Sequence, residues 1–161
     1  MSQYWSPAVR DLTPYIPGEQ PRERVIKLNT NENPYPPAPG VSQALAQYPT
    51  DHLRLYPDPT SLALRETLAS RYGVSVAETF VGNGSDEVLA FAFQAFFCQG
   101  APLDVPSITY SFYPVYANLY GVELRKHPLN AQWEVDMDAL ASASERSGVI
   151  FANPNAPTGH A

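Results

Sequence analysis

The stretch Phe80-Val81-Gly82-Asn83-Gly84-Ser85-Asp86-Glu87-Val88 constrains the chain more than any other. It predicts the end of a strand, a turn with two glycines and the first turn of an apolar helix. Residues 78–81 are short, β-branched and aromatic, and run into Gly82, as a buried strand does. Gly82 and Gly84 permit positive φ and let another group approach the backbone. Ser85 is the expected N-cap, and Asp86 and Glu87 put negative charge at the positive end of the helix dipole. From Val88 to Cys98 only Gln94 is polar, which predicts a helix buried on nearly all sides. A strand–glycine turn–helix gathers free N–H groups and forms an anion site, usually for phosphate. The other reading is that Asp86 and Glu87 satisfy those N–H groups themselves. The local sequence leaves both open. The glycine spacing is not G-x-G-x-x-G and no Walker lysine follows, so neither nucleotide motif applies.

The rest of the chain must supply a core, and 161 residues with 44% hydrophobic and 16% charged side chains can do so. A net charge of −6 without a Lys/Arg-rich run argues against a nucleic-acid surface. The lone Cys98 falls in the apolar helix and is expected in the core. The three histidines, His52, His127 and His160, are scattered and lack metal-site spacing. No apolar run reaches membrane-spanning length, and the first residues have no signal-peptide pattern; the expectation is a soluble cytoplasmic protein. Of 17 prolines, 11 precede residue 60, so the front of the chain reads as an extended, turn-rich arm.

In chain order, residues 1–40 hold little regular structure beyond a short strand expected at Val25-Ile26-Lys27-Leu28. Residues 41–47 suit a short helix. Tyr56-Pro57-Asp58-Pro59 is a rigid turn into a helix capped by Thr60 or Ser61 and closed by Tyr72-Gly73. After Gly100 the pattern is strand (103–105), helix (110–120, closed by Gly121), strand (122–126), helix capped by Asp136, and strand (148–152). Alternation of this kind means an α/β sheet, largely parallel, flanked by helices. Ligands then bind beyond the carboxyl ends of the strands. Three loops are expected there: 82–87, 106–110 and 153–159. The chain stops soon after its last strand, which suggests the front part of a longer protein, with an arm over 1–40 and a partial domain over 41–161.

These stretches resemble the fold-type I pyridoxal-phosphate-dependent aminotransferases, and within them the histidinol-phosphate branch. Six ordered segments carry the likeness: 12–18, Lys27-Leu28-Asn29-Thr30-Asn31-Glu32-Asn33-Pro34-Tyr35, Arg54-Leu55-Tyr56-Pro57-Asp58, Gly82-Asn83-Gly84-Ser85-Asp86-Glu87, Ile108-Thr109-Tyr110-Ser111-Phe112-Tyr113, and 153–159. The resemblance implies the front portion of the aspartate-aminotransferase-like large domain, with pyridoxal 5'-phosphate as cofactor. It implies that the amides of Gly84, Ser85 and Asp86 hold the cofactor phosphate, with the Asp86 and Glu87 carboxylates turned away. Tyr110 would stack on the pyridine ring, and an asparagine of the last loop would meet the phenolic oxygen. The asparagine usual before Pro-Thr-Gly is Ala156 here, which leaves Asn155, with Asn153 as the fallback. Tyr56 would reach the neighbouring subunit's cofactor phosphate, and Tyr15, Asn31 and Glu32 would lie by the substrate of a homodimer.

Transamination also needs a lysine that carries the cofactor as a Schiff base, an acid at the pyridine nitrogen and an arginine for the substrate carboxylate. The resemblance puts all three after the Asn-Pro loop. Lys27 and Lys126 are the only lysines, and neither matches; Lys126 is expected outside the cofactor loops. The implied parent is an aminotransferase of histidine biosynthesis acting on histidinol phosphate and 2-oxoglutarate, with this chain inactive alone. Alternatives are a relative that transaminates aromatic amino acids or decarboxylates threonine phosphate, a non-catalytic binding or assembly fragment, and a broken gene product without function.

Overall fold

The computed structural model describes residues 3–10, 18 and 21–161. Its elements are α1 (Pro7–Arg10), α2 (Pro39–Gln47), α3 (Leu62–Tyr72), α4 (Gly84–Ala92), β1 (Leu103–Pro106), α5 (Tyr113–Tyr120), β2 (Leu124–His127), α6 (Met137–Ser142) and β3 (Gly148–Val149). The chain divides into two compact units, residues 16–81 and residues 1–15 with 82–161, so the break falls between Val81 and Gly82.

In the first unit, no strand forms at 25–28; Ile26 and Leu28 are each 88% exposed. The start of α3 is stabilised from a distance. Ser61 makes no side-chain cap. Asp58 accepts from the Leu62 N–H at 2.6 Å and from the Thr60 N–H at 2.9 Å. Those donors, that of Thr60 first, hold its carboxyl below the usual range. Gly73, at φ 70°, ends the helix in the left-handed conformation that glycine adopts without penalty. The strand expected at 78–81 is absent. Val76–Glu78 is instead a 3-10 turn closed by a reciprocal Ser75–Glu78 capping box. Arg65 of α3 donates to the Val76 carbonyl at 2.6 Å and the Thr79 carbonyl at 2.8 Å, occupying acceptors that a ladder would need.

The second unit is built on a three-stranded parallel sheet in the order β2–β1–β3. Leu103 pairs with Leu124 on one side and Gly148 on the other. Both edges thus hang on β1, whose four residues are all buried. Period-two alternation sends Leu103 and Val105 to one face and Asp104 to the other. The apolar face packs on Phe93, Tyr113, Tyr116, Ala117 and Val122. Phe93 is wholly buried, its ring 5.3 Å from Tyr116 and 5.4 Å from Phe97. Truncating such a ring to alanine costs about 3–5 kcal/mol. Gly148 must be small, since a Cβ there would meet the Phe97 ring at 2.7 Å.

The segment after Gly84 differs from the sequence expectation. Of 88–98, only Phe93 is buried; Phe91 is 48% and Phe96 61% exposed, and Cys98 is exposed. The helix loosens into a π turn over Phe93–Phe97, which breaks the 3.6-residue stripe and swings Phe96 and Cys98 outward. The helix expected from residue 110 starts at Tyr113, with Pro114 in its first turn where the missing N–H costs nothing. Asp136 caps α6 as expected, accepting from the Ala139 N–H at 2.9 Å.

The other face of β1 carries a feature absent from the sequence expectations. Asp104 has no exposed surface. Arg125 of β2 grips it with both guanidinium arms, Nε at 2.5 Å and Nη2 at 2.9 Å, His127 Nε2 lies 3.0 Å away and Arg146 Nη1 3.9 Å. Arg146 also donates to the Leu140 carbonyl at 2.6 Å, and so ties the end of α6 to this cluster. The Arg125 bond, against the opposing effect of burial and helped by His127, holds the Asp104 carboxyl below the usual range. No helix among the described residues is long and apolar enough to cross a membrane.

Candidate functional site

The three loops expected at the carboxyl ends of the strands do meet, through side chains that each spans two of them. Asn155 is 1% exposed. Its Oδ1 accepts from Thr109 Oγ1 at 2.8 Å, and its Nδ2 donates to the Ile108 carbonyl at 3.0 Å and to Thr158 Oγ1 at 3.4 Å. The amide therefore pins the 106–110 loop to the 153–159 loop. The Asn155 backbone also closes its own turn, N–H to the His160 carbonyl at 2.7 Å and carbonyl to the Gly159 N–H at 2.6 Å. From the pinned loop, Tyr110 donates its hydroxyl to Asp86 Oδ1 at 2.9 Å. Tyr116 of α5 donates to the Asp86 backbone carbonyl at 2.8 Å. Burial, with the Asp86 charge nearby, pushes the Tyr116 phenol up to about 12, so it stays a donor at all ordinary pH.

The helix itself starts two residues earlier than expected. Gly84, not Ser85, opens α4, at φ 81°, and Asn83 is the N-cap but makes no side-chain bond to the first turn. The leading N–H groups of a helix have no partner within it. Residues 82–87 are all exposed, and a Cβ built on Gly84 would meet nothing within 4 Å. The two carboxylates differ in where they turn. Asp86 turns to Tyr110, but Glu87 folds back and accepts from the Asn83 N–H at 2.6 Å. Its Oε2 lies 3.0 Å from where a Gly82 Cβ would stand, so Gly82 leaves the room it occupies. The positive helix end and a donor otherwise without a partner draw Glu87 in. Neither carboxylate takes the Ser85 or Asp86 N–H groups, which remain open to an anion.

Tyr110 is half-buried, its ring stacked at 6.3 Å on Phe112 and edge-on to Tyr113 at 5.5 Å. A planar ring, open amides at a helix start and solvent access suit a cofactor with an aromatic ring and a phosphate tail. Asn155 suits the phenolic oxygen poorly, since both hydrogens of its amide nitrogen are engaged inside the protein. Asn153 is exposed and lines a separate cavity beside α6 with Phe151 and His160, away from Tyr110. Lys126, expected outside the loops, lines a cavity of about 520 Å³ together with Tyr110, Ala156 and Pro157.

The remaining sequence candidates belong to the other unit or fall outside the described residues. Tyr56 is fully exposed. Asn31 is exposed, with φ 51°, and Glu32 pairs with Lys27 at 2.5 Å. Tyr15 lies outside the described residues. Sequence reasoning missed Asp104 and Tyr116. For Asp104 the signal was present: a lone carboxylate between two apolar strand residues demands a cation, and Arg125 stands on the next strand.

Known proteins resemble this chain in sequence and fold. The chain is 66% identical over 160 residues to the histidinol-phosphate aminotransferase of Chromohalobacter salexigens, covering 99% of this chain and 45% of that protein. It is 55% identical to the histidinol-phosphate aminotransferase of Acetobacter pasteurianus, covering 99% of this chain and 44% of that protein. The chain thus spans less than half the length of both. The crystal structure of histidinol-phosphate aminotransferase from Sinorhizobium meliloti in complex with pyridoxal-5'-phosphate superimposes with a TM-score of 0.78 at 25% identity, over 98% of this chain and 44% of that one. The sequence profile described as aminotransferase class I and II matches residues 23–161, and the chain belongs to that family.

Proposed function

We propose that this chain is the cofactor-anchoring part of a pyridoxal-phosphate-dependent aminotransferase that moves an amino group between histidinol phosphate and 2-oxoglutarate in histidine biosynthesis. The observation that carries the reading is the meeting of the Gly84–Asp86 turn, Tyr110 and the Asn155 loop. The names of the relatives at 66% and 55% identity support histidinol phosphate as the substrate, and the neighbour solved in complex with pyridoxal-5'-phosphate supports the cofactor.

In this reading the open amides of Ser85 and Asp86 hold the cofactor phosphate at the positive end of α4, and that of Gly84 joins them by giving up its present bond to the Gly82 carbonyl at 3.0 Å. Asp86 fixes the Tyr110 hydroxyl, and so the plane on which the pyridine ring lies. Asn155 holds the loop that carries Tyr110; a direct contact to the phenolic oxygen would exchange one of its present bonds. The bound group supplies the electron-withdrawing ring that draws charge from the substrate carbon. Residues 1–40 act as an arm and 41–161 as a partial cofactor domain, with Tyr15, Asn31 and Glu32 toward the substrate. Tyr56 serves the neighbouring subunit of a cytoplasmic homodimer. Lys27 is engaged by Glu32, and neither lysine matches the Schiff-base position, so the chain alone is predicted not to turn over histidinol phosphate and 2-oxoglutarate.

Pyridoxine 5'-phosphate has the ring and the phosphate but no aldehyde to react with lysines, which makes it the direct probe. Ser85→Asp places a third carboxylate at the helix start, beside Asp86 and Glu87. That charge favours the helix dipole by about 0.3–1 kcal/mol, so folding is preserved. Binding of pyridoxine 5'-phosphate, followed by fluorescence, is expected to weaken about tenfold or more, as for a lost charge-assisted bond. Equal affinity in the variant would remove the phosphate assignment.

A further inference from the structure

Of the chain's asparagines, Asn83 alone is followed by glycine. In that setting the next backbone nitrogen can attack the side-chain carbonyl carbon, and the fold decides whether it does. Asn83 and Gly84 are both exposed. The Asn83 side chain makes no cap and no other hydrogen bond among the described residues, so nothing holds its carbonyl away from the main chain. The Asn83 backbone, at φ −81° and ψ 76°, is the centre of a three-residue turn in which the Gly84 N–H donates to the Gly82 carbonyl at 3.0 Å. That bond ties down the attacking nitrogen, but it stands alone. The first N–H groups of a helix have no partner within it, so no helical bond is lost when this one opens. Ring closure also turns the Asn83–Gly84 peptide. Glycine opposes that turn least, and even a Cβ at Gly84 would meet nothing within 4 Å.

The position of Asn83 gives the change a consequence. It is the N-cap of α4, whose first three residues are Gly84, Ser85 and Asp86. An N-cap side-chain oxygen reaches the N–H of the second or third helical residue. Those are Ser85 and Asp86, the two amides that neither Asp86 nor Glu87 takes. The neutral asparagine leaves them open. A carboxylate in its place is drawn to them by the positive helix end and by charge-assisted bonds. Asp86 and Glu87 stand nearby and oppose a third negative charge, and Glu87 already accepts from the Asn83 N–H at 2.6 Å. All three groups are exposed, so water screens their repulsion more than it weakens a direct N–H bond.

We propose that Asn83 is a deamidation site whose aspartyl product caps α4 and closes the anion turn. The Gly84 nitrogen, giving up its proton to solvent, bonds to Asn83 Cγ, and the side-chain nitrogen leaves as ammonia. Water then opens the five-membered imide. Opening at Cγ restores the main chain and gives an aspartyl residue; opening at the other carbonyl carries the chain through Cγ and gives an isoaspartyl residue. One water is consumed, one ammonia is released and nothing is oxidised or reduced. Both products add a negative charge to the turn, and the aspartyl form supplies the cap. The effect on the cofactor rests on the function proposed above; the modification and the cap do not.

The test ages the folded chain in mildly alkaline buffer and maps its peptides by mass spectrometry, beside the same chain in urea. The peptide holding Asn83 is expected to gain the mass of an amide-to-acid change at a rate within about tenfold of the unfolded chain, as for a site that opens at little cost. Asn83→Gln, which would need a larger ring, is expected to gain none at that position. An unchanged Asn83 peptide in the folded protein, under conditions that convert it in urea, overturns the modification. Amide hydrogen exchange of Asn83→Asp reads the cap: the Ser85 or Asp86 N–H is expected to exchange about tenfold more slowly than in the wild type. Equal exchange at both positions overturns the cap. Asn83→Asp is also expected to weaken pyridoxine 5'-phosphate about tenfold or more. A wild-type chain that does not bind pyridoxine 5'-phosphate defeats the cofactor reading alone, since mass and exchange still decide this proposal.

Discussion

Two carboxylates of the second unit, Asp104 and Asp86, show how the same group serves opposite ends. Asp104 is fully buried and closed on by Arg125, His127 and Arg146, and every bond around it joins one element to another. Asp86 lies in an exposed turn, takes one phenol from Tyr110, and leaves the amides beside it open. Where polar groups satisfy each other inside the protein they specify the fold. Where they stay unsatisfied at the surface they are available to a ligand. Asn155 lies between these cases: buried and saturated like Asp104, yet placed to hold the site's loop.

The contrast is broken most strongly at the buried end. Asp104→Ala strands two guanidinium groups around an empty position and is expected to destabilise the chain by about 3–5 kcal/mol, measured by urea denaturation. Asn155→Ala leaves the Thr109 hydroxyl and Ile108 carbonyl without their partner and is expected to cost about 1–3 kcal/mol by the same measurement. Acid sharpens the contrast further. The folded-state value of Asp104 lies below its ordinary 3.8, so its contribution is complete above about that pH and is lost as pH falls toward the lowered value. Denaturation midpoints are therefore expected to hold near pH 6 and decline below about pH 4, with the Asp104→Ala protein declining less over that window. The smallest effect belongs to the open end. Tyr110→Phe removes one exposed bond to Asp86 and is expected to change stability by about 0.5–1.5 kcal/mol or less. If Tyr110→Phe cost as much as Asp104→Ala, the division between fold and site would not hold.

Much of the frame was legible in the residues. The Asp136 cap, the Gly73 and Gly121 terminators and the alternation of strand and helix all rest on local chemistry, and all are present. So is the meeting of the 106–110 and 153–159 loops, which follow β1 and β3 of the parallel sheet; the 82–87 turn follows no strand and joins them through the Tyr110 and Tyr116 bonds to Asp86. What was not legible depends on contacts across many residues. Residues 78–81 have strand composition, but Arg65 and the Ser75–Glu78 box occupy their backbone partners. Cys98 and Phe96 sit in an apolar run, but the π turn rotates them outward. Ser85 is the better cap by type, yet Gly84 at positive φ opens the helix and Glu87 reaches back to Asn83. The resemblance implied Asn155 as a ligand contact; its saturation by Thr109 and Ile108 depends on a loop 46 residues earlier.

That separation has a consequence for the newly made chain. At synthesis rates of ~5–20 residues per second, Asn155 leaves the peptidyl-transferase centre roughly 2–9 seconds after Thr109. Through that interval the loop bearing Tyr110 has no latch, whatever the sheet beneath it has done. The pocket's geometry is therefore completed only once the 153–159 loop has been made, and a cofactor that met the nascent protein earlier would find only the amides of the α4 turn.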